Sequence, residues 1–194
     1  MRNAENIRKV EAMGIDLMGF IFWPKSKRYV SERPSYLPTN CKRVGVFVDE
    51  DIEQVKRIAD EYELDFIQLH GQESPEYIRL LDNRKTIKAF NIATTGDFAL
   101  TEAYEGVANY FLFDTKEKSI GGNGEKFDWS LLSTYDGNTP FLISGGIGSD
   151  DAERVKAFHH SKCVGIDLNS RFEQTPGLKD IDALRIFLNE LSRK

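Results

Sequence analysis

Several short stretches of the chain carry residues whose type and spacing suit them to chemistry. LISGGIGSDDAERV closes an apolar strand at Ser144 and sets Gly145 and Gly146 just before a helix start near Ser149 and Asp150. Glycines let backbone approach an anion, and a helix N-terminus offers free N–H groups. A plain strand-to-helix turn also favours glycine, so this stretch alone divides evenly between the two readings. The next unit, GIDLNSRFEQTPGLKD, follows another apolar strand with Asn169, Ser170 and Arg171, then a loop before the last helix. Two such loops in succession point to a phosphate-bearing small molecule, because the loops after strands seven and eight of a barrel commonly form one phosphate site.

A carboxylate stands elsewhere at a strand end. In FLFDTKEKSIGGNGEKFDW, Asp114 shares a face with Leu112, opposite Phe111 and Phe113. That position suits general acid or base work. A cap or turn is the plainer reading, but the next helix begins well downstream, at about Trp129. The polar, glycine-rich loop from Lys116 to Lys126 is suited to moving over a ligand. In GFIFWPKSKRYVS, Arg28 offers a planar fork for a carboxylate directly after a strand, although a basic loop is commonly just solvated surface. In DFIQLHG, Gln68 and His70 share a strand face near its end. A strand histidine is usually structural, so His70 is read as lining the pocket rather than as the acid or base.

The elements that must position these residues alternate along the chain. Strands are expected at Leu17–Trp23, Arg43–Val48, Asp65–His70, Thr86–Ile92, Tyr110–Asp114, Pro140–Ser144 and Val164–Leu168. Helices are expected around Ile7 to Met13, capped by Asn3 and stopped by Gly14, and at Ile52–Glu61, Pro75–Leu81, Asp97–Tyr104, Trp129–Tyr135, Ala152–Phe158 and Ile181–Leu191. A further helix after Arg33 is weak, because prolines interrupt it. Strands apolar on both faces and alternating with helices indicate an α/β fold with a parallel sheet. Seven strands against about eight helices suggest a (β/α)8 TIM barrel whose first strand is missing from this chain, forming a single domain over residues 1–194. An open doubly wound sheet is the rival. The chemistry at several strand ends and the short, even units favour the barrel.

Bulk properties narrow the function. A net charge of −5 argues against broad nucleic-acid binding. No apolar stretch approaches the roughly 20 residues of a membrane span, and no signal peptide is evident. The two cysteines, Cys41 and Cys163, lack metal-site spacing and suit a reducing cytoplasm. Both fall at the N-terminal ends of strands, away from the chemistry. No metal site, nucleophilic triad or dinucleotide fingerprint is apparent.

Taken together in order and spacing, GFIFWPKSKRYVS, VGVFVD, IQLHGQESPEY, FDT with GGNGEKFDW, ISGGIG and GIDLNSRFEQTPGLKD resemble the phosphoribosylanthranilate isomerase family of tryptophan biosynthesis. The resemblance runs essentially from Asn3 to the C-terminus. It implies a (β/α)8 barrel, monomeric or homodimeric, working without metal or cofactor. The implied reaction is an Amadori rearrangement of N-(5-phosphoribosyl)anthranilate to the 1-deoxyribulose 5-phosphate derivative. By the same resemblance Asp114 is the general acid, and the phosphate rests on Gly145, Gly146, Asn169, Ser170 and Arg171. Arg28 then holds the anthranilate end, and His70 and Asp167 are further pocket residues. The family's general base is a cysteine in a Lys-x-Cys-Gly stretch ending its first strand, and this sequence has no such stretch. The chain is therefore expected to start just after that strand, from a reading frame that continues upstream, and to be inactive or impaired as it stands. Two rivals are a relative of indole-glycerol-phosphate synthase and a catalytically dead barrel kept as a binding module. The first wants an early-strand catalytic lysine and a longer N-terminal extension, neither of which is evident.

Overall fold

The computed structural model describes residues 1–114 and 129–193. Seven strands form one parallel sheet in chain order: β1 (Leu17–Ile21), β2 (Lys42–Phe47), β3 (Phe66–Leu69), β4 (Thr86–Asn91), β5 (Tyr110–Asp114), β6 (Phe141–Ser144) and β7 (Cys163–Ile166). Each strand pairs in parallel with the next. All lie where the apolar runs predict them, with ends that differ by one or two residues; β2 and β7 begin one residue earlier.

The sheet curls, so alternate residues enter two different cores. Val44, Ile87, Ala89 and Leu112 meet on the inner face, with Leu17, Phe66, Tyr110 and Leu142 against them. Outward residues such as Phe20, Phe47, Leu69, Phe111, Phe113 and Phe141 are buried under the helical layer. Burial on both faces explains why the strands read as continuous apolar runs.

The helices are α1 (Ala4–Glu11), α2 (Ile52–Glu61), α3 (Pro75–Arg79), α4 (Ala152–Ala157) and α5 (Ile181–Ser192), with 3₁₀ turns at Thr95–Tyr104, Trp129–Thr134 and Ser170–Phe172. Their starts follow local chemistry. Asn3, Asp51, Ser74 and Asp180 each accept backbone N–H groups of the first turn, and Pro75 follows Ser74 where its missing N–H costs nothing. Gly14, at φ +75°, ends the first helical segment. The proline stretch after Arg33 forms no helix. Pro34 and Pro38 cannot donate, and the Thr39 and Asn40 amides bond instead to the buried Glu11 carboxylate of α1.

β1 and β7 are the outer strands of the sheet. A hairpin, β8 (Glu173–Thr175) and β9 (Leu178–Lys179), joins that end of the fold to α1. Asn6 Nδ2 donates to the Lys179 carbonyl at 2.9 Å, and the Lys179 N–H donates to Asn6 Oδ1 at 2.8 Å. The side chain of Asn6 thus serves β9 as a neighbouring strand's backbone would. The sequence predicts a loop here, and the structure forms a hairpin instead. No described helix is long and apolar enough to cross a membrane.

Candidate active site

The C-terminal ends of the strands bring His70, Asp114, Ser144 and Asp167 together from β3, β5, β6 and β7. Parallel register aligns Asp114 with Asn91 on one side and Ser144 on the other. His70 Nε2 lies 3.5 Å from Asp114 Oδ2, with the two side chains 31% and 21% exposed. Both are therefore open to a ligand. Gln68 Nε2 is 3.1 Å from His70 Nδ1, holding the ring from behind, and Ser144 Oγ donates to Asp167 Oδ2 at 2.9 Å.

His70 sits on a turn with a buried charge pair beneath it. Glu73 accepts from the Asp49 N–H at 2.8 Å and the Gly71 N–H at 3.1 Å. Lys88, from the outward face of β4, reaches Glu73 at 3.2 Å and the Gly71 carbonyl at 2.7 Å. The two side chains are 1% and 3% exposed. Burial pushes the Lys88 ammonium below its ordinary range, and the Glu73 charge offsets part of that. A Cβ on Gly71 would stand 2.3 Å from Asp49 Oδ1, so the turn admits only glycine.

The loops after β6 and β7 lie side by side. Gly145 and Gly146 take φ values of +96° and +66°, which side chains resist. A Cβ on Gly148 would stand 3.1 Å from Arg171 Cδ. The helix after this loop starts at Ala152, as its apolar pattern predicts, two residues past the start signal at Ser149 and Asp150. Asp151, nearly fully buried, accepts the Gly148 N–H at 2.8 Å and draws Gly148 to Asp151 into a turn. In the next loop, Lys179 Nζ donates to the carbonyls of Leu168 and Asn169, both at 3.0 Å, and to Asn169 Oδ1 at 3.1 Å. Ser170 and Arg171 begin the 3₁₀ turn anchored by the fully buried Phe172.

Arg28 has a protein partner that the sequence reading did not foresee. Its Nε and Nη2 grip the Glu173 carboxylate at 2.8 Å and 2.6 Å. Glu173 is 4% exposed, while Arg28 keeps 25% of its side-chain surface. Burial raises the Glu173 carboxyl, but Arg28 and Lys179 outweigh it and hold the group below its usual range. Cys41 precedes β2 and Cys163 opens β7, both at the far end of the sheet from Asp114. Burial pushes the Cys41 thiol up to about 11 and also raises Cys163, so neither is a ready thiolate. The glycine-rich loop expected to move over a ligand, Lys116 to Lys126, lies outside the described residues. Among the described residues no group of three His, Cys, Asp or Glu side chains could hold a metal ion.

A curled parallel sheet ringed by helices, with its polar residues gathered at the strand C-termini and glycine turns beside them, defines a TIM-barrel type of α/β protein. The family model for N-(5'phosphoribosyl)anthranilate (PRA) isomerase matches residues 1–190. The chain belongs to that family. It is 49% identical to the N-(5'-phosphoribosyl)anthranilate isomerase of Phocaeicola vulgatus over 196 residues, covering 100% of this chain and 96% of the relative. The isomerase of Parabacteroides distasonis is 49% identical over 199 residues, covering 98% and 90%. Among solved structures, the Thermotoga maritima phosphoribosyl anthranilate isomerase superposes with a TM-score of 0.84 at 32% identity, covering 98% of this chain and 95% of that one. A phosphoribosyl anthranilate isomerase in complex with reduced 1-(o-carboxyphenylamino)-1-deoxyribulose 5-phosphate superposes with a TM-score of 0.82 at 30% identity, covering 98% and 94%.

Proposed function

We propose that these residues carry out the isomerisation of N-(5-phosphoribosyl)anthranilate to 1-(2-carboxyphenylamino)-1-deoxyribulose 5-phosphate in tryptophan biosynthesis. The observation that carries the reading is the part-exposed Asp114 at the end of β5, beside His70 and paired in register with Ser144, which leads into the glycine loop after β6. Asp114 gives its proton to the furanose ring oxygen. The C1–O bond breaks as the anthranilate nitrogen lone pair forms a C=N bond. A base removes the C2 proton, leaving an enolamine. The enol proton returns to C1, the C2 carbonyl forms, and the substrate's atoms are conserved.

Gly145, Gly146, Asn169, Ser170 and Arg171 hold the phosphate, largely through backbone N–H groups. Arg28 meets the anthranilate carboxylate, and His70 and Asp167 line the space between. The base is the remaining role. In the family resemblance it is the cysteine of a Lys-x-Cys-Gly stretch, and neither Cys41 nor Cys163 stands at the right face to replace it. The 194 residues alone are therefore expected to turn over slowly. The protein acts as a monomer or homodimer; monomers generated from the dimeric Thermotoga maritima isomerase superpose on it with a TM-score of 0.81.

The test follows loss of substrate anthranilate fluorescence. Adding a segment with the Lys-x-Cys-Gly pattern ahead of Met1 should raise kcat, and the same segment with Ser for Cys should not. In the active form, Asp114→Asn should cut kcat by about 10²–10⁴-fold while binding of the reduced product analogue changes much less. Near-normal kcat in Asp114→Asn removes Asp114 from the acid role, and fast turnover by the 194 residues alone assigns the base to another residue.

A further inference from the structure

We infer that Glu173 is a positioning residue that ties the arginine at one end of the site to the asparagine loop at the other, through Lys179. The inference rests on the proposed reading of Arg28 as the carboxylate contact and of the Asn169 loop as part of the phosphate site. Glu173 lies between them. One carboxylate takes Nε and Nη2 of Arg28, accepts the Gly177 N–H at 3.1 Å, and stands 3.7 Å from Lys179 Nζ. Lys179 in turn spends its donors on the Leu168 and Asn169 carbonyls and on Asn169 Oδ1. The charged groups are buried, with Lys179 11% exposed and Glu173 4%.

The geometry of the fork makes this more than a buried ion pair. An arginine presents one bidentate edge through Nε and Nη2 and another through its two terminal nitrogens. Glu173 occupies the first edge, so a ligand carboxylate must approach end-on. That fixes both where the anthranilate ring arrives and how the guanidinium plane is turned. Lys179 holds Asn169 through both its backbone and side-chain oxygens. A single carboxylate therefore orients the two recognition elements, one on the loop after β1 and one on the loop after β7. The two loops are 145 residues apart in sequence at the Arg28–Glu173 contact.

Calorimetric titration separates the roles, because binding does not require turnover. The probes are the reduced product analogue, which carries both carboxylate and phosphate, and inorganic phosphate alone. E173Q should weaken the analogue about 10-fold or more, the scale of one lost charge-assisted hydrogen bond, and should also weaken phosphate. R28M should weaken the analogue and leave phosphate unchanged. K179M should weaken both probes and gives an independent measure should E173Q fail to fold. E173D, which keeps the charge, should regain much of the analogue affinity at a Tm like that of E173Q. Analogue affinity within about twofold of wild type in E173Q, with R28M impaired, overturns the tie alone. So does unchanged phosphate binding in K179M, or equal losses in E173D and E173Q. A neutral R28M instead overturns the reading of Arg28 on which the inference stands.

Discussion

Removing the Lys88 ammonium should destabilise the fold far more than a typical single substitution. In Lys88→Met the chain volume is nearly kept and the buried charge is lost. The Glu73 carboxylate, 1% exposed, then faces a low-dielectric interior with, among the described residues, the Asp49 and Gly71 N–H groups as its remaining donors. The carbonyls of Leu69, Gly71 and Ala89 lose a donor at 3.3, 2.7 and 3.3 Å. Breaking a buried pair by removing one partner costs about 3–5 kcal/mol. For a chain of this size each kcal/mol moves Tm by about 2–4 °C, so the expected drop is about 6–20 °C. Urea unfolding followed by far-UV circular dichroism measures it, with Glu73→Gln and the double variant closing a thermodynamic cycle. The double variant should lose less than the sum, because it leaves no unpaired charge. A loss below about 1 kcal/mol in Lys88→Met, with an additive cycle, refutes the argument that this pair organises the turn under His70.

The other expectations concern separate parts of the molecule. Gly146→Val forces a β-branched residue to φ +66°, and should weaken phosphate-bearing ligands while far-UV circular dichroism stays that of the wild type; unchanged affinity removes this loop from the phosphate site. Glu105 accepts from the Tyr135 and Thr139 hydroxyls, both at 2.9 Å; burial raises its carboxyl, but these bonds outweigh that and hold it below its ordinary 4.5. A depressed folded pKa contributes stability above the unfolded value and loses it as pH falls through the folded one, so Tm should fall below about pH 4.5 and fall less steeply in Glu105→Gln. Cys41→Ser and Cys163→Ser should leave turnover of the active form unchanged, since both thiols lie at the opposite face from Asp114; a large loss of kcat in either contradicts that placement.

The strands were legible because a doubly covered strand must be apolar on both faces, and few other local structures demand such runs. Helix starts were legible where a side chain caps its own first turn, as Asn3 and Asp51 do. The hairpin at Glu173–Lys179 escaped notice because its strands are three and two residues long, too short for a period to show. Asp151, one residue past Asp150, stands at the N-cap position without a side-chain bond to the helix, and its carboxylate accepts the Gly148 N–H instead. Strand ends predicted Asp114 and His70 at one edge, since parallel register aligns C-termini whatever the side chains. The partners of Arg28 and Lys88 had no local signal. Glu173 is 145 residues from Arg28, and only the curl of the sheet makes them neighbours. Yet the lysine inside TIKAFN was itself a sign, since an ammonium amid a buried strand needs a buried anion somewhere.

The reciprocal bonds between Asn6 and Lys179 span 173 residues, and they bear on the order in which the chain assembles. Closing a loop of that length on its own costs about 4–5 kcal/mol of chain entropy, more than two hydrogen bonds return. Every strand-to-strand pairing in the sheet joins neighbours in the chain, so the array grows by local additions, each shortening the distance still to be closed. The Asn6 seam is therefore the last stitch rather than the nucleus. On a ribosome, α1 is made 173 residues before Lys179 and waits through all of them for its partner. Its apolar residues Ile7 and Val10, buried at the end, are the surface most in need of shielding during that wait.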